Sequence, residues 1–146
     1  MEAKEVMGEV ERQCRVQGLR LTSTRRRVLE MILDADGPVK AYDLLDKLKC
    51  ERPGAAPPTI YRALDFLLEN HFIHRLETLN AFVSCFHPED QHQGQFLICE
   101  RCQTVTEVHD HSLIRALDKA AKVHGFRARH QVLEIYGRCK ACRGGG

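Results

Sequence analysis

The chain has no apolar run approaching the roughly 18 residues of a membrane-spanning helix, and no secretory apolar segment follows Met1. These absences predict a cytoplasmic protein with no membrane partner. Internal repeats and long low-complexity segments are missing as well, so 146 residues predict one domain or two small ones. Neither His-Glu-x-x-His nor His-x-Glu…Pro-Cys-x-x-Cys occurs, which removes the signatures of zinc peptidases and nucleobase deaminases. Neither an enzyme nor a small-molecule substrate is implied. Net charge is nearly absent too, with 22 lysines and arginines against 20 aspartates and glutamates. So even a balance shifts the question to where the charges sit. Residues 11–30 hold six arginines (Arg12, Arg15, Arg20, Arg25, Arg26 and Arg27) against Glu11 and Glu30 alone. Such a stretch is either a solvated helix face or a footprint for phosphates.

What the chain does hold is cysteine. The seven cysteines are odd in number, and four of them pair at close spacing, which argues for reduced thiols rather than disulfides. Cys99-Glu-Arg-Cys102 and Cys139-Lys-Ala-Cys142 are separated by 36 residues. Two intervening residues let both sulfurs of a pair turn onto one ion. Two such knuckles complete a tetrahedral four-thiolate site, the geometry of structural zinc. Four thiolates around Zn²⁺ leave an excess of negative charge, which Arg101, Lys140 and Arg143 are placed to offset. Cys14 falls on an apolar helix face, where a free cysteine acts as a small hydrophobe. Cys50 stands near a helix end, and neither is assigned a role.

Apolar periodicity predicts four helices in the first half. Val6, Val10 and Cys14 mark a helix ending near Gly18. Thr22 is placed to cap a second, with Val28, Leu29, Ile32 and Leu33 on its inner face and Asp36-Gly37-Pro38 as its stop. Ala41, Leu44, Leu45 and Leu48 mark a third. Pro57-Pro58-Thr59 opens a fourth, with Thr59 as a candidate cap and Ile60, Leu64, Leu67 and Leu68 as the buried stripe. Strands over 72–77 and 81–85 then form a hairpin. Helices followed by a hairpin is the winged-helix layout, in which the last helix enters the DNA major groove. Tyr61, Arg62 and Asp65 would project outward from that helix, and arginine can pair with guanine O6 and N7. An exposed arginine on a helix is otherwise simply solvated.

Beyond a polar stretch around Pro88, strands over 95–99 and 105–108 flank the first knuckle. A helix ending at His124-Gly125 and a long strand over 126–136 then lead to the second. The fold class predicted is α+β: a winged-helix DNA-binding domain over 1–85, a linker or hinge over 86–94, and a small zinc-stapled α+β dimerisation domain over 95–146. A domain that small buries little core, so metal and dimerisation are both predicted supports. A second ligand set is spread over both parts. His74, Cys85, His92 and Glu107 offer two imidazoles, a thiolate and a carboxylate, which together neutralise Zn²⁺. By spacing alone this set stands beside the plainer reading of scattered surface histidines. His109, His111 and His124 offer an accessory third site.

Several motifs taken in order resemble the ferric uptake regulator family. They are Arg20-Leu21-Thr22-Ser23-Thr24-Arg25, Ala41-Tyr42-Asp43-Leu44-Leu45, residues 57–67 from Pro57 to Leu67, Phe96-Leu97-Ile98-Cys99-Glu100-Arg101-Cys102, His124-Gly125-Phe126 and Tyr136-Gly137-Arg138-Cys139. The likeness runs from about residue 8 to 142 and favours the family's zinc-sensing branch over its iron- and peroxide-sensing ones. It implies a sensory zinc on His74, Cys85, His92 and Glu107, and a structural zinc on Cys99, Cys102, Cys139 and Cys142, hence two per protomer. It further implies DNA reading by Tyr42 and Arg62. With Thr59, Tyr61, Arg20, Arg25 and Arg26 added from position and charge, these are the candidate DNA contacts. The function implied is a homodimeric repressor that binds palindromic operator DNA when zinc-loaded and controls zinc-uptake genes. The chain departs from relatives at His71, which stands where a helix-ending glycine is usual, so that His71 or Asn70 must take an unusual backbone angle.

Overall fold

In the computed structural model, which describes residues 2–84, 93–128 and 131–144, the first helix α1 (Ala3–Gln17) buries Val6, Val10 and Cys14 along one stripe. Its end is a Schellman turn: Leu19 N–H reaches Cys14 O at 2.8 Å and Gly18 takes φ 69°. Thr22 caps α2 (Ser23–Asp34), its hydroxyl accepting from Arg25 N–H at 3.2 Å. Helix α3 (Ala41–Glu51) follows, then α4 (Pro57–Glu69), whose two leading prolines occupy positions where helical N–H groups lack partners. Thr59 is not the cap of α4. It sits at the third helical position behind Ala56, and its hydroxyl accepts from the Ala56 N–H at 3.4 Å.

Strands β1 (Ile73–Leu76) and β2 (Ala81–Ser84) form an antiparallel hairpin, with Ile73 opposite Ser84 and Leu76 opposite Ala81. Val39 adds a third, one-residue rung through reciprocal hydrogen bonds with Phe82 at 2.9 and 2.8 Å. Leu29, Leu44, Leu48, Ile60, Leu64, Leu67 and Phe72 are fully buried between the helices and this small sheet. Each such side chain contributes about 2 kcal/mol of transfer free energy, and their burial holds α3 and α4 to a common frame. Helices plus wing make this unit, Met1–Glu89, a winged helix.

The second unit, Asp90–Gly146, is α+β. Strand β3 (Gln93–Cys99) is central in a sheet of order β4-β3-β5, antiparallel to β4 (Val105–Glu107) and parallel to β5 (Gln131–Gly137). It begins two residues before the Gln95 expected from sequence. Helix α5 (His111–Val123) is the crossover between the parallel strands. Asp110 caps it, accepting from Ser112 N–H at 2.8 Å. The buried Gln95 amide in turn holds the Asp110 backbone, accepting its N–H at 3.3 Å and donating to its carbonyl at 3.4 Å.

Phe126–Ala128 is not part of the long strand expected to begin at Phe126. Phe126 N–H is bonded to Ala121 O at 2.9 Å in the Schellman turn that closes α5, with Gly125 at φ 74°, so that backbone is committed to the helix end. A short turn of helix, α6 (Lys140–Arg143), lies inside the second knuckle and has no apolar period to announce it. The apolar core here is small, with Phe96, Ile98, Cys99 and Ile114 as its buried members among the described residues. Leu97, Val123, Phe126, Val132 and Ile135 are exposed, and β5 has no neighbour on its outer edge among the described strands.

Candidate metal centre and nucleic-acid interface

The parallel pairing of β3 and β5 builds the metal centre. Cys99 ends β3 directly opposite Gly137, which ends β5, and Glu100 N–H binds Gly137 O at 2.8 Å. Because the strands run the same way, both knuckles leave from one end of the sheet. In the first, Gln103 N–H returns to Cys99 O at 2.9 Å, and Cys99 N–H binds Thr104 O at 3.0 Å. Gln103 adopts φ 61° to close that turn. In the second, Cys139 caps α6, and its carbonyl accepts from Cys142 N–H at 3.1 Å and Arg143 N–H at 2.8 Å.

The four sulfurs all lie within 4.8 Å of one another, with Cys102 and Cys139 Sγ atoms 3.8 Å apart. Sulfurs about 2.3 Å from a central zinc stand about 3.8 Å apart at the corners of a tetrahedron. The donor set therefore fits Zn²⁺ in number, chemistry and spacing. The thiols are unequal. Hydrogen bonds from the backbone N–H groups, Cys102 first and Cys139 next, hold the Cys99 thiol down to about 6. The Thr104 hydroxyl, with Oγ1 3.0 Å from Sγ, lowers that of Cys102. Cys142 is pushed up to about 12, chiefly by its hydrogen bond with the Cys139 thiol. Like charges crowded together resist joint ionisation, so full ligation of a divalent cation must expel protons from this cluster. Among the described residues, this is the one group of three or more ligand side chains whose donor atoms converge.

The second ligand set is described in part. His74 is buried on β1 opposite Val83, in the first unit. Glu107 is half-buried on β4 opposite Phe96, in the second. Cys85 and His92 lie outside the described residues. Of the accessory histidines, His109 and His111 meet edge to face, ring centres 4.9 Å apart, while His124 ends α5.

The candidate DNA contacts lie on the winged helix. Tyr61 and Arg62 are exposed near the start of α4, and Tyr42, at the start of α3, is 72% exposed. The tyrosine rings border one cleft of about 340 Å³, shared with Lys40, Asp65, Arg75 and Asn80. Thr59 is half-buried and turned to the Ala56 N–H. Arg20 is exposed, and its carbonyl accepts from Arg25 at 2.6 Å. Arg25 itself lies 3.9 Å over the ring of Phe66 on α4. Arg26 pairs with Glu11 on α1 and, at 3.2 Å, with Glu30. Lys40 and Arg75, which line the same cleft, are not among the contacts expected from sequence. A single lysine before a helix and a single arginine in a strand carry no periodic signal.

Residues 16–136 match the model of the ferric uptake regulator family, and the chain belongs to that family. It is 42% identical over 141 residues to the zinc uptake regulation protein of Escherichia coli (strain K12), covering 95% of this chain and 82% of that one. Among solved structures it is similar to a zinc uptake regulator complexed with zinc and DNA, at TM-score 0.89 and 39% identity, over 99% of this chain and 97% of the other. It is also similar to holo XcZur, at TM-score 0.85 and 49% identity, over 94% and 96% of the two chains.

Proposed function

We propose that this chain is a zinc-responsive transcriptional repressor that binds palindromic operator DNA as a homodimer and controls zinc-uptake genes. The observation that carries the reading is the near full-length likeness to a zinc uptake regulator in complex with zinc and DNA. The geometry of both units agrees with it. Cys99, Cys102, Cys139 and Cys142 would hold the structural ion, and His74, Cys85, His92 and Glu107 the sensory one. Zinc supplies, when bound, a cross-link between the segments that carry its ligands. A thiolate in the sensory set favours zinc over ferrous iron on softness.

Tyr42, Tyr61 and Arg62 would read DNA, with Thr59 and Arg20 beside them. Arg62 is exposed at the N-terminal end of α4, where a recognition helix meets base edges. Homodimerisation would use the sheet face on which Ile135 and its paired residue Leu97 are left exposed, with the open edge of β5. The chain acts by binding rather than catalysis, in the cytoplasm, where reduced thiols persist. Among the described residues no helix is long and apolar enough to cross a membrane. Zinc works through differential affinity for the DNA-competent state. The test is a zinc titration of binding to a palindromic duplex, with metal per protomer counted in parallel. Two zincs per protomer and zinc-dependent binding are expected. Binding indifferent to zinc, or equally driven by ferrous iron, would overturn the reading.

A further inference from the structure

The arginines at the start of α2 are largely occupied within the protein. Arg25 is stacked on Phe66 and bonded to the Arg20 carbonyl. Arg26 is shared by Glu11 and Glu30. Arg27 is bidentate to Glu51, at 2.6 to 3.0 Å, and bonded to Glu30 at 3.1 Å. A cation already paired with a carboxylate has less to gain from a phosphate, because the first partner must be released or left unpaired.

The opposite holds around the tyrosine cleft. Among the described residues no acidic side chain forms a salt bridge with Lys40, Arg62 or Arg75. Lys40 is the residue next to Val39, whose two hydrogen bonds to Phe82 pin that stretch to the edge of the wing. Arg75 pairs with the same Phe82 from the other side, and its guanidinium donates to Asn80 Oδ1 at 2.9 Å, a neutral partner that orients it without cancelling its charge. Asn80 takes φ 48° to make that turn. Lys40 and Arg75 thus stand on or beside paired backbone and line a cleft of about 340 Å³ that also holds Tyr42 and Tyr61. Asp65 of α4 lines the same cleft and brings one negative charge to it.

We infer that Lys40 and Arg75 grip DNA backbone phosphates on the two sides of the tyrosine cleft, and that sequence-independent affinity is carried there rather than by Arg25 and Arg26. This rests on the DNA-binding reading above. The probes are a palindromic duplex selected in vitro with the zinc-loaded protein and a random duplex of equal length, each titrated at several salt concentrations. Lys40→Ala and Arg75→Ala should each lower the slope of log K against log salt by about 0.9 per protomer. Both duplexes should lose affinity by the same factor. Arg26→Ala should leave the slope unchanged. Arg75→Gln, which removes the charge but can still donate to Asn80, should match Arg75→Ala and separates lost charge from a disturbed wing. An unchanged slope in the double variant, with zinc-dependent binding intact, would overturn this inference alone. Failure of the unaltered chain to bind either duplex would overturn it together with the reading on which it rests.

Discussion

The proposed function gives Arg62 and the four clustered cysteines different tasks, so their losses should separate cleanly. Arg62→Ala removes a guanidinium that is exposed in the first unit, far in sequence from the four-cysteine cluster. Specific DNA binding should weaken by about 1–3 kcal/mol if the contact is bidentate to guanine. Binding to random duplex, zinc content and dimerisation should hold, as gel shift, metal analysis and sizing would report. Cys99→Ser is a different loss. Cys99 is buried, and backbone N–H groups hold its thiol down to about 6. A hydroxyl there ligates zinc poorly at neutral pH. Because zinc binding at such a site is coupled to folding, the variant should lose the second unit's circular-dichroism signal and its dimer together. Cys85→Ser should keep both, and lose only the gain in operator affinity on adding zinc. A folded, dimeric Cys99→Ser protein, or a zinc-activated Cys85→Ser one, would each refute its own assignment.

At the level of elements, α4 ends on a histidine where the geometry suits glycine. His71 sits at φ 59°, with Phe72 N–H bonded to Leu67 O at 2.9 Å and His71 N–H to Leu68 O at 3.0 Å. This is the same turn that closes α1 at Gly18 and α5 at Gly125. His71→Gly relieves a left-handed conformation costly to a residue with a Cβ, and should stabilise the first unit by about 1 kcal/mol, partly offset by the greater backbone entropy of glycine. Thermal denaturation of the two proteins is the check, and a lower midpoint would show that the imidazole's own contacts outweigh the strain.

The same elements show what sequence can carry. Helices α1 to α4 are legible because each buries one apolar stripe, and the strain at His71 is foreseeable because a glycine was due there. The late start of β5 was hidden, since whether Phe126 extends a strand depends on a hydrogen bond to Ala121 that composition does not mark. The pairing of Arg26 with Glu11 was hidden as well: Glu11 is on another helix, and only packing brings them together. The four cysteines were readable from spacing alone, whereas His74 and Glu107 fall on separate elements with no shared period.

For the molecule as a whole, the second unit joins a small core to several exposed apolar side chains. Ile135 is 49% exposed on β5, and Leu97, its paired residue on β3, is 44% exposed beside it. Ile135→Glu leaves the buried Phe96, Ile98 and Ile114 untouched and places a charge on the outward face. The dimer should weaken about tenfold or more, read by sedimentation against concentration, while the monomer's zinc cluster stays intact. An unaltered dimer would exclude this face as the interface. The parallel register of β3 and β5 has one more consequence, which concerns the order of folding. Cys99 and Cys102 are neighbours along the chain, so a two-sulfur grip on an ion needs nothing but a local turn. The other two sulfurs arrive only after a loop of 36 residues, α5 included, has closed and β5 has found its place beside β3. Loop closure on that scale is paid before any long-range contact rewards it. The ion would therefore be captured loosely at first and locked last, making tight metal retention a late certificate that the crossover was completed in the right register.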